Sequence, residues 1–266
     1  ETLNIPIPNM DKWMDPYSVG SLQIPMVRSM YNSSTGDDTS PREFQNSITG
    51  WLDGSQVYGS SDFDSQWLKE GSLGKMKVTN TEIGEFLPKA ADGEESPSIS
   101  FVGFSASERF VAGDSRANEH SALTAMHVLF LREHNRIASE VHMENPDYTD
   151  KQIYQIARKI NTAQMQYITY FEFLPSLGVN LPAYSGFNET IDPRISNEFS
   201  TLAFRMGHSQ INDISLRFGT DYDIKEYDSM LLSDGFWLPS NMISDGGIEP
   251  VLRGAAVSNQ AANDIY

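Results

Sequence analysis

A mainly α-helical fold with long loops and little sheet is what the sequence predicts. Three segments between residues 119 and 212 carry apolar side chains at steps of three and four residues, which is the spacing of one helix face. Residues 1–118 are rich in Gly, Pro, Ser and Asp, and the alternation of apolar and polar residues typical of strands is scarce there. With 266 residues, 39% of them hydrophobic and 11% aromatic, the chain is long and apolar enough to bury a sizeable core.

The first predicted helix covers residues 119–144, and Pro146 follows its end. Three histidines, His120, His127 and His134, lie seven residues apart on this helix. Seven residues rise about 10.5 Å along a helix, which is too far for two imidazoles to share one ion. We therefore interpret His127 and His134 as packed or capping residues and do not expect a zinc site.

The second predicted helix covers residues 150–173, with Thr149 or Asp150 as its N-cap and Pro175 after its end. The third begins at Asp192 and Pro193, because a capping residue followed by proline at the first helical position is a frequent helix start. Its apolar stripe consists of Ile195, Phe199, Leu202 and Met206.

Beyond residue 211 the helical periodicity weakens. Arg253 and Gly254 indicate a turn. Residues 255–264 are expected to open a further helix.

The charge and the cysteine content exclude several classes of protein. Acidic residues outnumber basic ones by 36 to 19, which gives a formal net charge of −17. Such a chain repels phosphate backbones and anionic membranes, so a nucleic-acid partner is not expected. The absence of cysteine excludes disulfides, a thiol nucleophile and thiolate-bound metals. No apolar run approaches the roughly 20 residues of a transmembrane helix, so no such segment is expected.

Two groups of charged residues lie on predicted helices. Arg116, Glu119 and His120 lie near the start of the first helix, where free N–H groups favour an anion; alternatively, Glu119 only complements the helix dipole. Arg205 and His208 are three residues apart and share a face of the third helix. His208 is either a core histidine or the single axial imidazole of a haem.

A third group lies in the loop of residues 49–55. Side-chain oxygens at Thr49, Asp53 and Ser55 alternate with the carbonyl of Trp51, an arrangement that suits a hard cation such as calcium. A plain turn is the alternative, because the loop holds only one carboxylate.

Four segments in order along the chain carry a family resemblance. They are Arg42–Ser60, Ala112–Glu119 running on to Leu131–Arg136, Asp192–Ile195 leading to Phe204–His208, and Gly246–Gly254. In sequence, order and approximate spacing they resemble the animal-type haem peroxidases, the peroxidase–cyclooxygenase superfamily, including its bacterial members. The fold implied is the helical haem-binding core of that family.

On the proximal side, the resemblance implies haem b with His208 as the histidine on the iron and Arg205 as its partner on the same helix face. Asn263 matches the asparagine that accepts a hydrogen bond from the proximal imidazole, and Gln260 is the alternative position.

On the distal side, Arg116 resembles the arginine that polarises hydrogen peroxide, and Glu119 the glutamate that forms an ester to a haem methyl. The resemblance also implies a structural calcium ion. Its ligands would be Thr49, Trp51 through the carbonyl, Asp53 and Ser55.

The activity implied is that of an oxidoreductase. A haem peroxidase reduces hydrogen peroxide by two electrons and then oxidises a halide, thiocyanate or an organic donor. Because the family is usually secreted, an extracellular location is expected, with the export signal outside these residues, together with a role in the response to oxidative stress.

The sequence departs from the family pattern at two places. The family's distal histidine lies upstream of the calcium loop, yet no histidine precedes His120. We therefore expect residues 1–266 to be an internal part of a haem peroxidase domain, lacking the distal-histidine helix and the C-terminal helices, and not fully active alone. His120 also stands where some chloride-oxidising members have a methionine bonded to the haem. This difference predicts a lower haem potential and a preference for bromide, iodide, thiocyanate or organic donors.

Two other functions remain open. One is a non-catalytic haem-peroxidase-like module for adhesion or matrix assembly, although such a scaffold has no need of Arg116, Glu119 and His208. The other is a haem-dependent fatty-acid dioxygenase, which requires a tyrosine radical beside the haem. Tyr167 and Tyr170 are available, but their spacing favours packing along the second helix.

Overall fold

A computed structural model describes residues 3–12, 14–91, 93–100, 108–223, 229–237 and 241–263. The chain divides into two units, Glu1–Ser47 with Ser196–Phe199, and Ile48–Ile195 with Ser200–Tyr266. The predicted mainly helical architecture is confirmed, since the sheets of the described residues are two-stranded ladders.

The smaller unit contains one antiparallel ladder and a buried turn. Strand β1 (Ile5–Pro6) pairs with β2 (Gln23–Ile24). Between them, the buried carboxylate of Asp15 accepts hydrogen bonds from the backbone N–H groups of Val19 and Gly20, at 2.7 and 2.8 Å. These bonds replace the solvent that the carboxylate loses, so the turn tolerates a buried charge.

The larger unit is organised around two long helices. Its other elements are short. In chain order the elements are α1 (Ser55–Tyr58), α2 (Asp62–Trp67), β3 (Thr79–Thr81), β4 (Gly84–Phe86), α3 (Ser121–Glu144), α4 (Asp150–Tyr167), a π-helix (Ile168–Phe173), α5 (Leu174–Ser176), α6 (Asn197–Thr201, which begins in the smaller unit), a 3₁₀ helix (Ala203–Gln210), β5 (Ile214–Ser215), β6 (Met230–Leu231), a second 3₁₀ helix (Leu232–Gly235), α7 (Asn241–Ser244) and α8 (Glu249–Val257).

Helices α3 and α4 confirm the first two predicted helices. The imidazole of His120 caps α3 by accepting from the backbone N–H of Ala122. Thr149 and Gln152 form a capping box at the start of α4. The two helices pack through apolar side chains that bury a continuous seam, consisting of Ile137, Ala138, Val141, Ile153 and Ala157.

The prediction that Pro175 follows the end of the second helix was wrong, because the chain remains helical to Ser176. The wider π-helical turns precede the proline. Pro175 is therefore the second residue of α5, directly after the change from π-helical to α-helical turns.

The predicted start of the third helix at Asp192 was also wrong. The Asp192 carboxylate accepts from the backbone N–H of Arg194 at 3.0 Å and pairs with the Arg194 guanidinium. The capping group is thus used in a local turn, and α6 begins only at Asn197. The predicted stripe stays exposed, with Leu202 at 77%.

Arg253 and Gly254 lie inside α8 and not in the turn that the sequence indicated, and residues 258–263 are not helical. A Cβ at Gly254 would lie 1.7 Å from the carbonyl oxygen of Leu216. The glycine is therefore required by close packing of α8 and does not mark a break in the chain.

A buried polar network joins α1, α3 and α4. The hydroxyl of Tyr58 lies 3.0 Å from Nδ1 of His134, and Nδ2 of Asn161 donates to the same hydroxyl at 2.9 Å. On the other side of the imidazole, Nε2 of His134 lies 2.9 Å from the carbonyl oxygen of Gly74. All three side chains are buried, so each hydrogen bond replaces one lost to water.

The network defines the tautomer of His134. The carbonyl of Gly74 only accepts, so Nε2 must carry the proton, and Nδ1 then accepts from the Tyr58 hydroxyl. A neutral ring satisfies both contacts. Burial lowers the pKa of His134 to about 4, although the Gly74 carbonyl acts in the opposite direction.

This lowered pKa predicts acid lability. Above the ordinary pKa of 6.5 the ring is neutral in both the folded and the unfolded protein, so its burial does not make the free energy of unfolding depend on pH. Between pH 6.5 and 4 only the unfolded chain takes up the proton, so the free energy of unfolding should fall by about 3 kcal/mol across this window. Urea denaturation at several pH values measures the loss. His134→Gln should flatten that part of the profile, whereas His142→Gln, outside the network on the same helix, should not; equal slopes for all three proteins would contradict the prediction.

No helix among the described residues combines the length and the apolar character needed to cross a membrane.

Candidate functional site

A cavity of about 550 Å³ lies beside the start of α3 in the larger unit. This volume is in the range of ligand and cofactor sites. Most of its wall is apolar, and both Glu119 and His208 line it, although they are far apart in sequence. The structure therefore brings together two of the predicted site residues.

The start of α3 is held by the segment after the second 3₁₀ helix. The backbone N–H of Trp237 donates to the carbonyl of Glu119 at 3.1 Å, and the rings of His120 and Phe236 meet edge to face with centroids 4.9 Å apart. A Cβ at Gly235 would lie 2.3 Å from Nε2 of His120. The imidazole of His120 fits here only because residue 235 is a glycine and has no Cβ.

Burial lowers the pKa of His120, although the Leu232 carbonyl and the Glu119 charge oppose the shift. The neutral ring can keep its Nδ1 lone pair on the N–H of Ala122. His120 therefore serves as a helix cap, and it also forms part of the cavity wall.

His208 belongs to the exposed 3₁₀ helix Ala203–Gln210. Its backbone carbonyl accepts from the N–H of Ile211, and its imidazole has no hydrogen-bond partner among the described residues. An imidazole without a protein partner at the wall of an apolar cavity fits the donor that a haem iron requires.

A C-terminal segment runs beside His208. The side-chain oxygen of Asn263 accepts from the Ser209 hydroxyl at 3.3 Å, and the N–H of Ala261 donates to the carbonyl of Gln210 at 3.0 Å. Asn263 thus lies next to the predicted proximal histidine, but its described contact is to the neighbouring serine. Its bond to the His208 imidazole stays a prediction.

Arg205 and Arg116 do not line the cavity. The Nε of Arg205 donates to the carbonyl of Ser200 at 3.1 Å. Arg116 is held by Asp114, which accepts from its Nε at 2.9 Å and from its Nη2 at 2.7 Å. The guanidinium hydrogen bond holds the pKa of Asp114 below its usual range, so this pair is ionised over the neutral range.

His127 lies close enough to Asp114 and Arg116 for their charges to act on it. Its Nδ1 lies 2.8 Å from the carbonyl of Leu123, so Nδ1 carries the proton and Nε2 is left with a lone pair. Burial lowers the pKa of His127, in agreement with a packed neutral ring. The interpretation of His127 and His134 as packed histidines is confirmed, since both are buried.

The segment before Arg116 is packed directly against α1. A Cβ at Gly113 would lie 2.2 Å from the carbonyl oxygen of Ser55 and 2.4 Å from the N–H nitrogen of Gly59. Both atoms belong to the backbone and cannot turn aside. The arginine segment and the end of the predicted calcium loop are therefore in contact.

The predicted calcium loop forms a series of tight turns. The hydroxyl of Thr49 accepts from the N–H of Trp51 at 3.1 Å, and the Asp53 carboxylate accepts from the N–H of Ser55 at 3.0 Å. Gln166 on α4 donates to the carbonyl of Leu52 at 2.6 Å and so fixes the loop to the long helix. Among the described residues no three His, Asp or Glu side chains are grouped to hold a metal ion. The loop thus supplies several oxygen atoms that could act as calcium ligands, but only one carboxylate.

Sequence reasoning missed most of the cavity wall. Its apolar residues come from α3, from residues 211–216 and from the last part of the chain. They include Leu123, Met126, Ile211, Leu216, Phe236 and Val251. The available signal was the three-residue step from Leu123 to Met126, which places these two wall residues on one face of α3.

Comparison with known proteins identifies a family along the whole chain. Residues 1–266 match the family model described as animal haem peroxidase. The chain is 39% identical over 237 residues to the human Probable oxidoreductase PXDNL, in a match covering 86% of this chain and 16% of that protein.

Solved structures show the same architecture. Peroxidase A from Dictyostelium discoideum superposes with a TM-score of 0.86 at 28% identity, covering 100% of this chain and 53% of the other. Fatty acid alpha-dioxygenase from Oryza sativa shares the fold alone, with a TM-score of 0.67 at 17% identity over 98% of this chain and 45% of that one. The chain thus spans about half or less of the length of these proteins. From the match along all 266 residues and the helical fold, we conclude that the chain belongs to the animal haem peroxidase family.

Proposed function

We propose that this chain is part of a haem peroxidase that reduces hydrogen peroxide and oxidises a halide, thiocyanate or a small organic donor. The observation that carries the proposal is the cavity of about 550 Å³ lined by both Glu119 and His208. An apolar wall with a free imidazole and a carboxylate has the chemistry expected of a haem site.

The residues present fit haem b. His208 would bind the iron, and Glu119 would form the ester to a haem methyl. When bound, haem supplies the redox chemistry that reduces peroxide. The proximal role of Arg205 and of Asn263 belongs to the same proposal, with Ser209 holding Asn263 beside the histidine.

Arg116 does not line the cavity, but the charge of Glu119, which does, acts on its guanidinium. Arg116 would hold and polarise the peroxide. Its Nε and Nη2 are occupied by Asp114, which orients the guanidinium, while Nη1 has no partner among the described residues. A fixed positive charge favours the deprotonated form of a peroxide nearby and so promotes its loss of a proton. The proton acceptor would come from chain outside residues 1–266, in agreement with the proposal that these residues form part of a larger domain.

The visible absorption spectrum of the haem-loaded full-length protein tests the function. Addition of hydrogen peroxide should shift the Soret band, and subsequent addition of bromide should restore it. A haem band indifferent to peroxide would favour the adhesion or matrix module.

The dioxygenase alternative is weakened by the cavity wall, since no tyrosine lines it within the described part of the chain. Tyr167 and Tyr170 are exposed instead.

The residue after Glu119 leads to a donor prediction. His120 is engaged as the cap of α3, and an imidazole cannot form the bond that a methionine sulfur makes to a haem. We therefore expect turnover with bromide, iodide or thiocyanate to exceed turnover with chloride by at least about tenfold, corresponding to about 1.4 kcal/mol in the barrier. Steady-state assays of the complete protein at matched halide concentrations measure the ratio. Equal rates with chloride and bromide would contradict it.

A calcium ion at the loop of residues 49–55 is a further part of the proposal. Asp53 would provide the charged ligand, and Thr49, Ser55 and the Trp51 carbonyl the neutral ones. At a hundredfold excess over its dissociation constant, calcium should stabilise the fold by about 3 kcal/mol. Thermal unfolding with calcium and with a chelator measures this difference.

Asp53→Ala should abolish the calcium dependence of the melting temperature, while Asp62→Ala, in the first turn of α2, should preserve it. An unchanged calcium response in Asp53→Ala would exclude this loop as the site. Secretion of the protein and a role in the response to oxidative stress are parts of the same proposal.

A further inference from the structure

The cavity wall contains a residue whose chemistry differs from that of its neighbours. Within the described part of the chain, Met126 is the one sulfur-bearing residue that lines the cavity. It lies on α3, and Glu119, which lines the same cavity, lies just before the N-cap of this helix. Because the thioether is polarisable and readily oxidised, it is the most oxidisable group of this wall.

A second methionine on the same helix provides an internal comparison. Met126 is 43% exposed in the cavity wall, whereas Met143, near the end of α3, is 71% exposed and lies outside the cavity. If oxidation depended on accessibility alone, Met143 would react first. A preference for Met126 therefore has to come from its position.

We propose that Met126 is a site of oxidative modification, converted to methionine sulfoxide by the hydrogen peroxide that is consumed at this cavity. The inference rests on the proposed function, because that function brings the peroxide to the cavity. The sulfur lone pair attacks one peroxide oxygen and forms the S–O bond while the O–O bond breaks. Sulfur is oxidised by two electrons, and the departing hydroxide takes the proton of the transferred oxygen and leaves as water.

The modification would alter the site itself. A sulfoxide is polar and chiral, whereas the neighbouring wall residues Leu123, Ile211 and Leu216 are apolar. A polar group in this wall replaces part of the apolar contact that the wall makes with a bound prosthetic group. Oxidation of Met126 should thus weaken the non-covalent contacts around the cofactor and limit the number of turnovers.

Peptide mass spectrometry tests the proposal in the haem-loaded protein. Trypsin cleaves after Arg116, Arg132, Arg136 and Lys151, which separates peptide 117–132, with Met126, from peptide 137–151, with Met143. After brief exposure to hydrogen peroxide, the rate of sulfoxide formation at Met126 should exceed that at Met143 by about fivefold. In the haem-free protein, where the cavity draws no peroxide, the order should reverse.

The Soret band recorded in the same samples separates the two proposals. A Soret response to peroxide with Met126 oxidised no faster than Met143 would overturn the modification site and leave the peroxidase function standing. A Soret band that does not respond to peroxide would overturn both.

A pair of variants gives an independent readout. Met126→Leu preserves the volume and removes the sulfur, so its Soret band should persist several-fold longer under repeated peroxide additions than that of the parent. Met143→Leu should lose its Soret band at the parental rate. Equal persistence in both variants would contradict the inference.

Discussion

His208→Ala should abolish the Soret band of the haem-loaded protein while leaving its fold unchanged. The imidazole has no hydrogen-bond partner among the described residues, and no residue of the 3₁₀ helix Ala203–Gln210 is buried. Removal of the side chain should therefore change the free energy of unfolding by no more than about 0.5 kcal/mol. Loss of the axial nitrogen removes the protein ligand on the iron. Haem titration followed by absorption, with circular dichroism of the same sample, measures both effects.

The matched control is His142→Ala, which changes a histidine of α3 that does not line the cavity. This variant should bind haem as the parent does. A parental Soret band in His208→Ala would show that His208 is not the ligand. Loss of helical signal together with the band would show that His208 is needed for the fold.

Gly113→Ala should be strongly destabilising. The added methyl group would meet the backbone of Ser55 at 2.2 Å and of Gly59 at 2.4 Å, so α1 or the segment before Arg116 must shift. Overpacking of this kind costs about 3 kcal/mol or more when backbone atoms are struck. Urea denaturation measures the loss. We also expect peroxide binding by the haem-loaded protein to weaken, because Arg116 moves with the displaced segment.

Gly207→Ala is the appropriate comparison. Gly207 has no atom within 4 Å of an added Cβ, and it lies directly before His208. Its substitution should change the stability by less than about 0.5 kcal/mol. A similar loss of stability in the two variants would show that the contact between Gly113 and α1 is not responsible.

Long elements with local signals could be predicted from the sequence. Helix α3 has eleven buried residues recurring at helical spacing, and α4 begins with the Thr149–Gln152 capping box. Both signals depend on neighbours within four residues, which the sequence displays directly. Glu119 and His208 could be selected as site residues because the family resemblance adds information that periodicity lacks.

Features decided by competition between side-chain contacts, or by contacts distant in sequence, could not be predicted. Asp192 is a good capping residue, yet its carboxylate is engaged by Arg194. Gly254 suggests a turn, but it is required by the carbonyl of Leu216 in another segment. The cavity wall has the same origin. Phe236 follows a short 3₁₀ helix and Val251 lies on α8, both far from Glu119 in sequence, so only the folded chain shows their proximity to it.

The two sides of the cavity are attached to the molecule with unequal firmness. Glu119 precedes a helix with many buried side chains, one of which, His134, takes part in the buried polar network. His208 belongs to a 3₁₀ helix without a buried residue. Amide hydrogens of α3 should consequently exchange with solvent only through global unfolding, while those of residues 203–210 exchange through local fraying. We therefore expect the wall of the cavity that carries His208 to open toward solvent more readily than the wall formed by α3.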